Sequence, residues 1–216
     1  EPEVMDSPEE ARDYDGMDHS AVNRAFVDDL LAVLGSPAPS PESLDVLDAG
    51  TGTARIPIEL CGRLLDCRVT AIDLAGEMLK LARINVESAA LDERVRLEQV
   101  DAKAMPYRDD RFDAVISNSI VHHVSEPAVV LDECLRVLRP GGILFLRDLL
   151  RPPDVQAAEW LVTRYVGDEN QHAQQMFRDS LHAAMTVDEM RALLDARSLP
   201  VEWVRQTTDR HWTIAG

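Results

Sequence analysis

The sequence predicts a doubly wound α/β fold: a seven-stranded, mainly parallel sheet with helices on both faces and an antiparallel hairpin at its C-terminal end. Three observations predict it. Apolar runs of strand length alternate with segments of helical periodicity from Leu44 to Leu146. The first such run ends in a glycine-rich turn that opens directly into a helix. The last two strand candidates are separated by only a short polar turn, which suits antiparallel pairing.

The elements follow in order. Glu1 to Arg12 is acidic, carries two prolines and reads as a loose arm. From His19 to Leu34, Ala21, Val22, Ala25, Phe26, Leu30, Leu31 and Leu34 recur at helical spacing, with Asp28 and Asp29 on the other face. Gly35 ends that helix, and Ser36 to Pro41 is a proline-rich connector. Strands are expected at Leu44–Ala49, Val69–Ile72, Val95–Val100, Phe112–Ser117 and Ile143–Leu146, apolar and β-branched enough to lie centrally. Helices are expected between them at Ala54–Leu65, Glu77–Ala89 and Pro127–Leu138, the last stopped by Pro140-Gly141-Gly142. Beyond them, Asp154–Tyr165 and His172–Ala184 read as helices. Thr186 with Glu189 forms a capping-box pattern for a helix running to about Arg197. Val201–Gln206 and His211–Ile214 complete the strands.

Composition narrows the function classes. With 45% hydrophobic residues in 216, the chain can bury a core without disulfides or metals. Lys and Arg total 22 against 39 Asp and Glu, a net charge of −17 that repels phosphate backbones and anionic membranes. No nucleic-acid partner is therefore expected. Cys61, Cys67 and Cys134 are scattered and lack metal-ligand spacing, so no metal is expected and a reducing cytoplasm fits. No apolar run has the length of a membrane span, and the N-terminus is acidic rather than signal-like.

The chemistry centres on Val46-Leu47-Asp48-Ala49-Gly50-Thr51-Gly52-Thr53-Ala54. Gly50 and Gly52 permit a sharp turn and close ligand approach, and the following helix offers unpaired N–H groups at its positive end. Such a turn alone serves nicotinamide, flavin and phosphate sites equally. Asp48, two residues before Gly50, would repel a pyrophosphate and suits a ligand carrying an ammonium group; hydrogen bonding to loop N–H groups is a compatible role. Asp73, 21 residues beyond Gly52, stands where a carboxylate can accept both hydroxyls of a ribose. A helix-capping role is the plainer alternative.

On these residues the sequence resembles class I S-adenosylmethionine-dependent methyltransferases, of the small-molecule type similar to those of ubiquinone and menaquinone biosynthesis. The matching blocks are Val46–Thr53, Ala71–Leu79, Val100–Ala102, Phe112–Asn118 and Leu135–Gly142, in the family's order. Ala54 departs from the pattern, since many members carry a third glycine there. The resemblance implies a Rossmann-like fold and S-adenosylmethionine as cofactor, with S-adenosylhomocysteine as product and methyl transfer to a small molecule by in-line displacement. It implies that Asp48, Gly50 and Gly52 surround the methionine part and that Asp73 holds the ribose. Leu74 and Met78 would pack on the adenine, Asp101 would accept from its amino group with Ala102 alongside, and Ser117 and Asn118 would border the methionine portion near the transferable methyl. Met78 reads equally well as a core methionine, and Asp101 as a loop cap.

Further candidates surround that site. His122, after the fourth strand, could take a proton from an attacking oxygen or nitrogen and reads equally well as a capping or packing residue, while for His123 the capping or packing role is the plainer reading. Tyr14, with Asp15, Met17, Asp18 and His19, precedes the first helix where similar methyltransferases carry a lid. Tyr14 and His122 are thus the candidate catalytic residues. Arg147, Asp148 and Arg151 could bind a polar acceptor, though solvated rim charges are the plainer reading. Trp160, Tyr165 and Phe177 could cover the substrate or simply pack. One domain is expected: residues 1–41 as arm and lid helix, 42–150 as cofactor-binding core, and 151–216 as helical cover and hairpin. Two other readings stay open. A nicotinamide-dependent oxidoreductase shares the turn and Asp73 but not Asp48 and Asp101, and a protein that binds the cofactor without catalysis would share them all.

Overall fold

The computed structural model describes residues 6–16, 19–35 and 43–216. Its elements run α1 (Pro8–Gly16), α2 (Ser20–Leu34), β1 (Leu44–Ala49), α3 (Arg55–Arg63), β2 (Cys67–Asp73), α4 (Gly76–Ser88), β3 (Val95–Gln99) and β4 (Phe112–Asn118). There follow a 3₁₀ turn at Val121–His123, α5 (Pro127–Val137), β5 (Leu138–Leu149), α6 (Val155–Val166), α7 (Gln171–Ala183), α8 (Val187–Asp195), β6 (Val204–Gln206) and β7 (His211–Ala215). The seven strands hydrogen-bond in the order β3-β2-β1-β4-β5-β7-β6. β1 pairs parallel with β2 and β4, β2 pairs parallel with β3, and β6 pairs antiparallel with β7. This is the expected mixed sheet with a reversed final pair.

The chain divides into two compact units. The larger takes the described residues up to Asn118, with Val129–Leu146 and Gly216. Val46, Leu47, Val69, Ala71, Ile72, Ala114, Val115 and Ile116 are buried along its parallel strands, the continuous apolar pattern of a covered sheet. Phe26 of α2 meets Phe145 of β5 edge-on at 5.0 Å. Strand order places the carboxyl ends of β1, β2 and β4 side by side, so Asp48, Asp73 and Asn118 come together although 70 residues separate the outer two. The smaller unit comprises Ser119–Ala128 and Arg147–Ala215 in the described part. Its own core joins Leu149, Leu161, Val162, Leu181 and Ala184, with Phe177 packed against it. Asp154, Asn170 and Thr186 cap α6, α7 and α8 through side-chain oxygens, and Thr186–Glu189 is the reciprocal capping box that its spacing predicts.

Three expectations need correction. The N-terminal segment is not a loose arm throughout: Pro8–Gly16 is helical, because Ala11 finds a buried seat on Ala75 and Met78 of α4. β5 is far longer than Ile143–Leu146, beginning at Leu138 and running through Pro140-Gly141-Gly142 to Leu149. Gly141, at φ 77°, absorbs the distortion that proline imposes there. Finally, Val201–Trp203 is a 3₁₀ turn, so β6 keeps only Val204–Gln206. The proline-rich connector falls outside the described residues, as do Met17 and Asp18.

Candidate active site

β1 delivers Asp48 to a turn whose backbone is unusual at three points: Gly50 (φ 75°), Gly52 (φ 54°) and Ala54 (φ 61°) are all left-handed. Hydrogen bonds hold the turn to the end of β2. The N–H groups of Gly50 and Thr51 donate to the Ile72 carbonyl at 2.9 and 2.8 Å, and that of Gly52 donates to Asp73 Oδ2 at 2.7 Å. Asp73 Oδ1 accepts from the Ala75 N–H at 2.9 Å, so one carboxylate ties the glycine turn to the start of α4. Burial raises the Asp73 carboxyl above its ordinary value, although the N–H groups of Ala75, Gly52 and Leu74 work against that.

Beside the turn lies a cavity of about 150 Å³, lined on one side by Asp48, Gly50, Thr51, Thr53 and Asn118 and on the other by residues of α1, α2 and α3. Asp48 is 1% exposed, and its Oδ2 is buried without a hydrogen-bond partner; so is Asn118 Oδ1. Burial pushes the Asp48 carboxyl up to about 7, the Thr51 hydroxyl opposing this and the neighbouring Asp73 adding to it. Two buried acceptors without donors, at the end of parallel strands, fit a ligand that brings an ammonium group. Tyr14 reaches in from α1, with its Cε1 3.6 Å from where a Cβ on Gly52 would stand. Burial, then the charges of Asp73, Asp48 and Asp15, raise its phenol and keep it protonated at neutral pH. Asp15 takes Arg55 Nε and Nη2 at 3.1 and 2.9 Å, and Asn85 Nδ2 at 3.0 Å, all on Oδ1. Burial alone would raise its carboxyl; the nearby Thr53 hydroxyl, the hydrogen bond from Asn85 and the Arg55 guanidinium hold it below the usual range.

The smaller unit contains a second chemical grouping. His122 Nδ1 meets Asp148 Oδ1 at 2.5 Å, with side chains 4% and 1% exposed. Asp148 also accepts from the backbone N–H groups of Val121 and Leu149. Burial would raise this carboxyl, but His122 and those N–H groups outweigh it and hold it low. The carboxylate therefore fixes the imidazole's orientation through Nδ1. His123 stacks on His122 with ring centroids 4.1 Å apart. Arg147 donates from Nε to Thr213 Oγ1, and His211 nearby is pushed down to about 4 by burial, then by Arg210 and Arg147. Arg147 and Asp148 are thus not solvated rim charges: each is buried against specific partners.

Residues 47–146 match a family described as methyltransferase domain. The chain matches that family over a little under half of its length. It is 34% identical over 121 residues to a ubiquinone biosynthesis O-methyltransferase from Xanthomonas oryzae pv. oryzae, covering 56% of this chain and 49% of that protein. The chain thus spans about half the length of the curated relatives it matches. Among solved structures it is similar in fold to a SAM-dependent methyltransferase from Aquifex aeolicus, with TM-score 0.70 and 20% identity over 97% of both chains. It is also similar to the plantazolicin methyltransferase BpumL in complex with a pentazolic desmethylPZN analog and SAH, with TM-score 0.71 and 18% identity over 90% of this chain and 70% of that one.

The cavity gathers Tyr14, Asp48, Gly50 and Asn118 of the sequence-derived candidates, and Gly52 and Asp73 are bonded to one another at the same turn. The others have different settings. Ser117 donates its hydroxyl to the Ala49 carbonyl at 2.6 Å, holding β4 to β1. Met78 packs on Ala11 and Ala75, Leu74 is 37% exposed, and Ala102 is buried. Asp101 accepts from the Lys103 N–H at 2.8 Å, which is the loop-capping role. Sequence reasoning missed Ser20, Asn23, Arg55 and Ile56 in the cavity lining. Arg55 could have been found, since it is the first helical residue after the glycine turn. The pairing of Asp148 with His122 across 26 residues had no local signal. Among the described residues, no group of three or more His, Cys, Asp or Glu could hold a metal ion, and no helix is long and apolar enough to cross a membrane.

Proposed function

We propose that this chain is an S-adenosylmethionine-dependent methyltransferase acting on a small-molecule acceptor. The observation that carries the reading is Asp48 Oδ2, a buried carboxylate oxygen with no donor, facing the cavity beside the glycine turn. Leaving such an atom unpaired is costly unless a ligand supplies the missing donor. The bound cofactor would supply a methyl made electrophilic by a sulfonium. Asp48 and Asn118 would hold the ammonium of its amino-acid end, Asp73 has lone pairs to spare for ribose hydroxyls, and Leu74, Met78, Asp101 and Ala102 would surround the adenine. Gly50 and Gly52 keep the turn clear of side chains, and Ser117 holds β4 against β1 so that Asn118 stays in place. Positioning and exclusion of water then provide most of the rate.

We assign two residues to proton handling. His122, oriented by Asp148, takes the proton of an acceptor oxygen or nitrogen; Tyr14 stays neutral and donates a hydrogen bond rather than acting as a base. The acidity of the chain supports a small-molecule acceptor over nucleic acid, and the three free buried thiols support a cytoplasmic setting. Calorimetry with S-adenosylhomocysteine and with NAD tests the cofactor. Binding of the first and not the second is expected, and tight NAD binding alone would refute the reading. A transfer screen over quinols, phenols, amines and thiols tests turnover. Absence of product with every acceptor in that set, despite tight cofactor binding, would be expected of a binding protein instead.

A further inference from the structure

We propose that Arg55 is the counter-ion for the carboxylate of the cofactor's amino-acid end, and that it exchanges Asp15 for that carboxylate when the cofactor binds. The inference rests on the cofactor reading above and deepens it. Arg55 is the one Arg or Lys among the residues described as lining the cavity, which also holds the carboxylates Asp15 and Asp48. These three side chains sum to one negative charge. S-adenosylmethionine, with a sulfonium, an ammonium and a carboxylate, carries one positive charge, so the cavity complements it only when Arg55 is counted. The donors and acceptors are also separated. Asp48 Oδ2 and Asn118 Oδ1 are acceptors suited to the ammonium, and the remaining need is a donor for the carboxylate.

Arg55 fits that need by position and by its present bonds. It is the first residue of α3, where the positive end of the helix also favours an anion. Its side chain is 47% exposed rather than locked in the core. Both of its donating nitrogens converge on the single oxygen Asp15 Oδ1, which Asn85 also engages. A guanidinium and a carboxylate prefer two parallel bonds to two oxygens, so this partnership is less than the best that Arg55 can make. An arriving carboxylate could offer both oxygens, and Asn85 Nδ2 would remain with Asp15. Since Asp15 belongs to α1, the exchange would couple the cofactor's amino-acid end to the N-terminal helix.

Two ligands separate the parts of this idea: S-adenosylhomocysteine, and its decarboxylated analogue that keeps the ammonium. Their dissociation constants are measured by calorimetry for the wild type, Arg55→Gln, Arg55→Lys and Asp15→Asn. Arg55→Gln is expected to weaken S-adenosylhomocysteine by about tenfold or more and the analogue by less than about twofold, the loss of one charge-assisted pair. Arg55→Lys should recover part of that loss, and Asp15→Asn, which removes the competitor, should tighten S-adenosylhomocysteine alone. Equal losses for both ligands in Arg55→Gln, or none, would overturn the assignment. A wild-type chain that binds neither ligand would instead overturn the cofactor reading on which it stands.

Discussion

Acidity should weaken cofactor binding through Asp48, and the size of the effect follows from its burial. With no donor on Oδ2 and Asp73 as a neighbour, the carboxyl of the free chain gives up its proton only near pH 7. An ammonium group is attracted to the ionised form, so binding below that pH must first expel the proton. If only the ionised form binds, the apparent dissociation constant exceeds its limiting value about 30-fold at pH 5.5 and about 1.3-fold at pH 7.5, a ratio of about 25. The assay is calorimetry with S-adenosylhomocysteine at several pH values, each in two buffers of different ionisation enthalpy. Near pH 6 the buffer dependence should reveal release of about 0.9 proton per ligand bound. Asp48→Asn should bind weakly at every pH and release no such proton. A flat affinity from pH 5.5 to 7.5, with no proton release in the wild type, would refute the assignment of the ammonium to Asp48.

The same residue bears on stability. Its folded pKa lies above the unfolded value, so the cost of ionising it is absent below about pH 3.9, grows up to pH 7 and is full above that, at most about 4 kcal/mol. Asp48→Asn should therefore raise Tm more at pH 8 than at pH 5; equal gains at both would contradict this. Asp148 has the opposite sign. Its folded pKa is depressed, so it stabilises above its unfolded value and that contribution is lost as pH falls through the folded one. Asp148→Ala should cost about 3–5 kcal/mol near neutrality in denaturant titrations, and less in acid. Ala54→Gly gains about 1–2 kcal/mol of backbone relief against about 0.8 for the lost buried methyl and up to about 1 of chain entropy, so urea midpoints should barely move. Ala54→Val, fully buried in the same left-handed position, should lose about 2–4 kcal/mol. Gly142→Ala would place its Cβ 2.7 Å from the Asp113 carbonyl oxygen, so a loss of about 1–3 kcal/mol is expected by the same measurement.

The parallel core was legible because its signals are local. Strands such as Leu44–Ala49 and Phe112–Asn118 are short apolar runs, and the helices between them have sharp ends, so periodicity alone nearly finds their limits. α1 was not legible. Its sequence, Pro-Glu-Glu-Ala-Arg-Asp-Tyr-Asp-Gly, shows one small apolar residue among charges, and what makes it a helix is the seat that Ala11 takes on α4 some 64 residues away. Tertiary contact overrides composition there. β5 was underestimated for the reverse reason: Pro140-Gly141-Gly142 carries strong breaking signals, yet the left-handed Gly141 lets the strand continue through them.

The site divides along the same line. Residues tied to the sheet, Asp48, Asp73 and Asn118, are placed by strand ends, and a strand end can be read from sequence. Residues contributed by packing cannot: Arg55 and Asp15 face each other because α1 lies against α4, and Asp148 holds His122 because β5 outlasts its predicted end. The electrostatics follow from that difference. Burial at the strand ends, with the neighbouring carboxylates adding to it, raises both Asp48 and Tyr14, whereas the residues brought by packing arrive with partners that hold Asp15 and Asp148 low. A carboxylate kept out of water without a donor costs stability that only a ligand can return. Asp48 should therefore be the residue at which removing charge stabilises the empty chain and weakens the bound one, while at Asp148 the same change only destabilises.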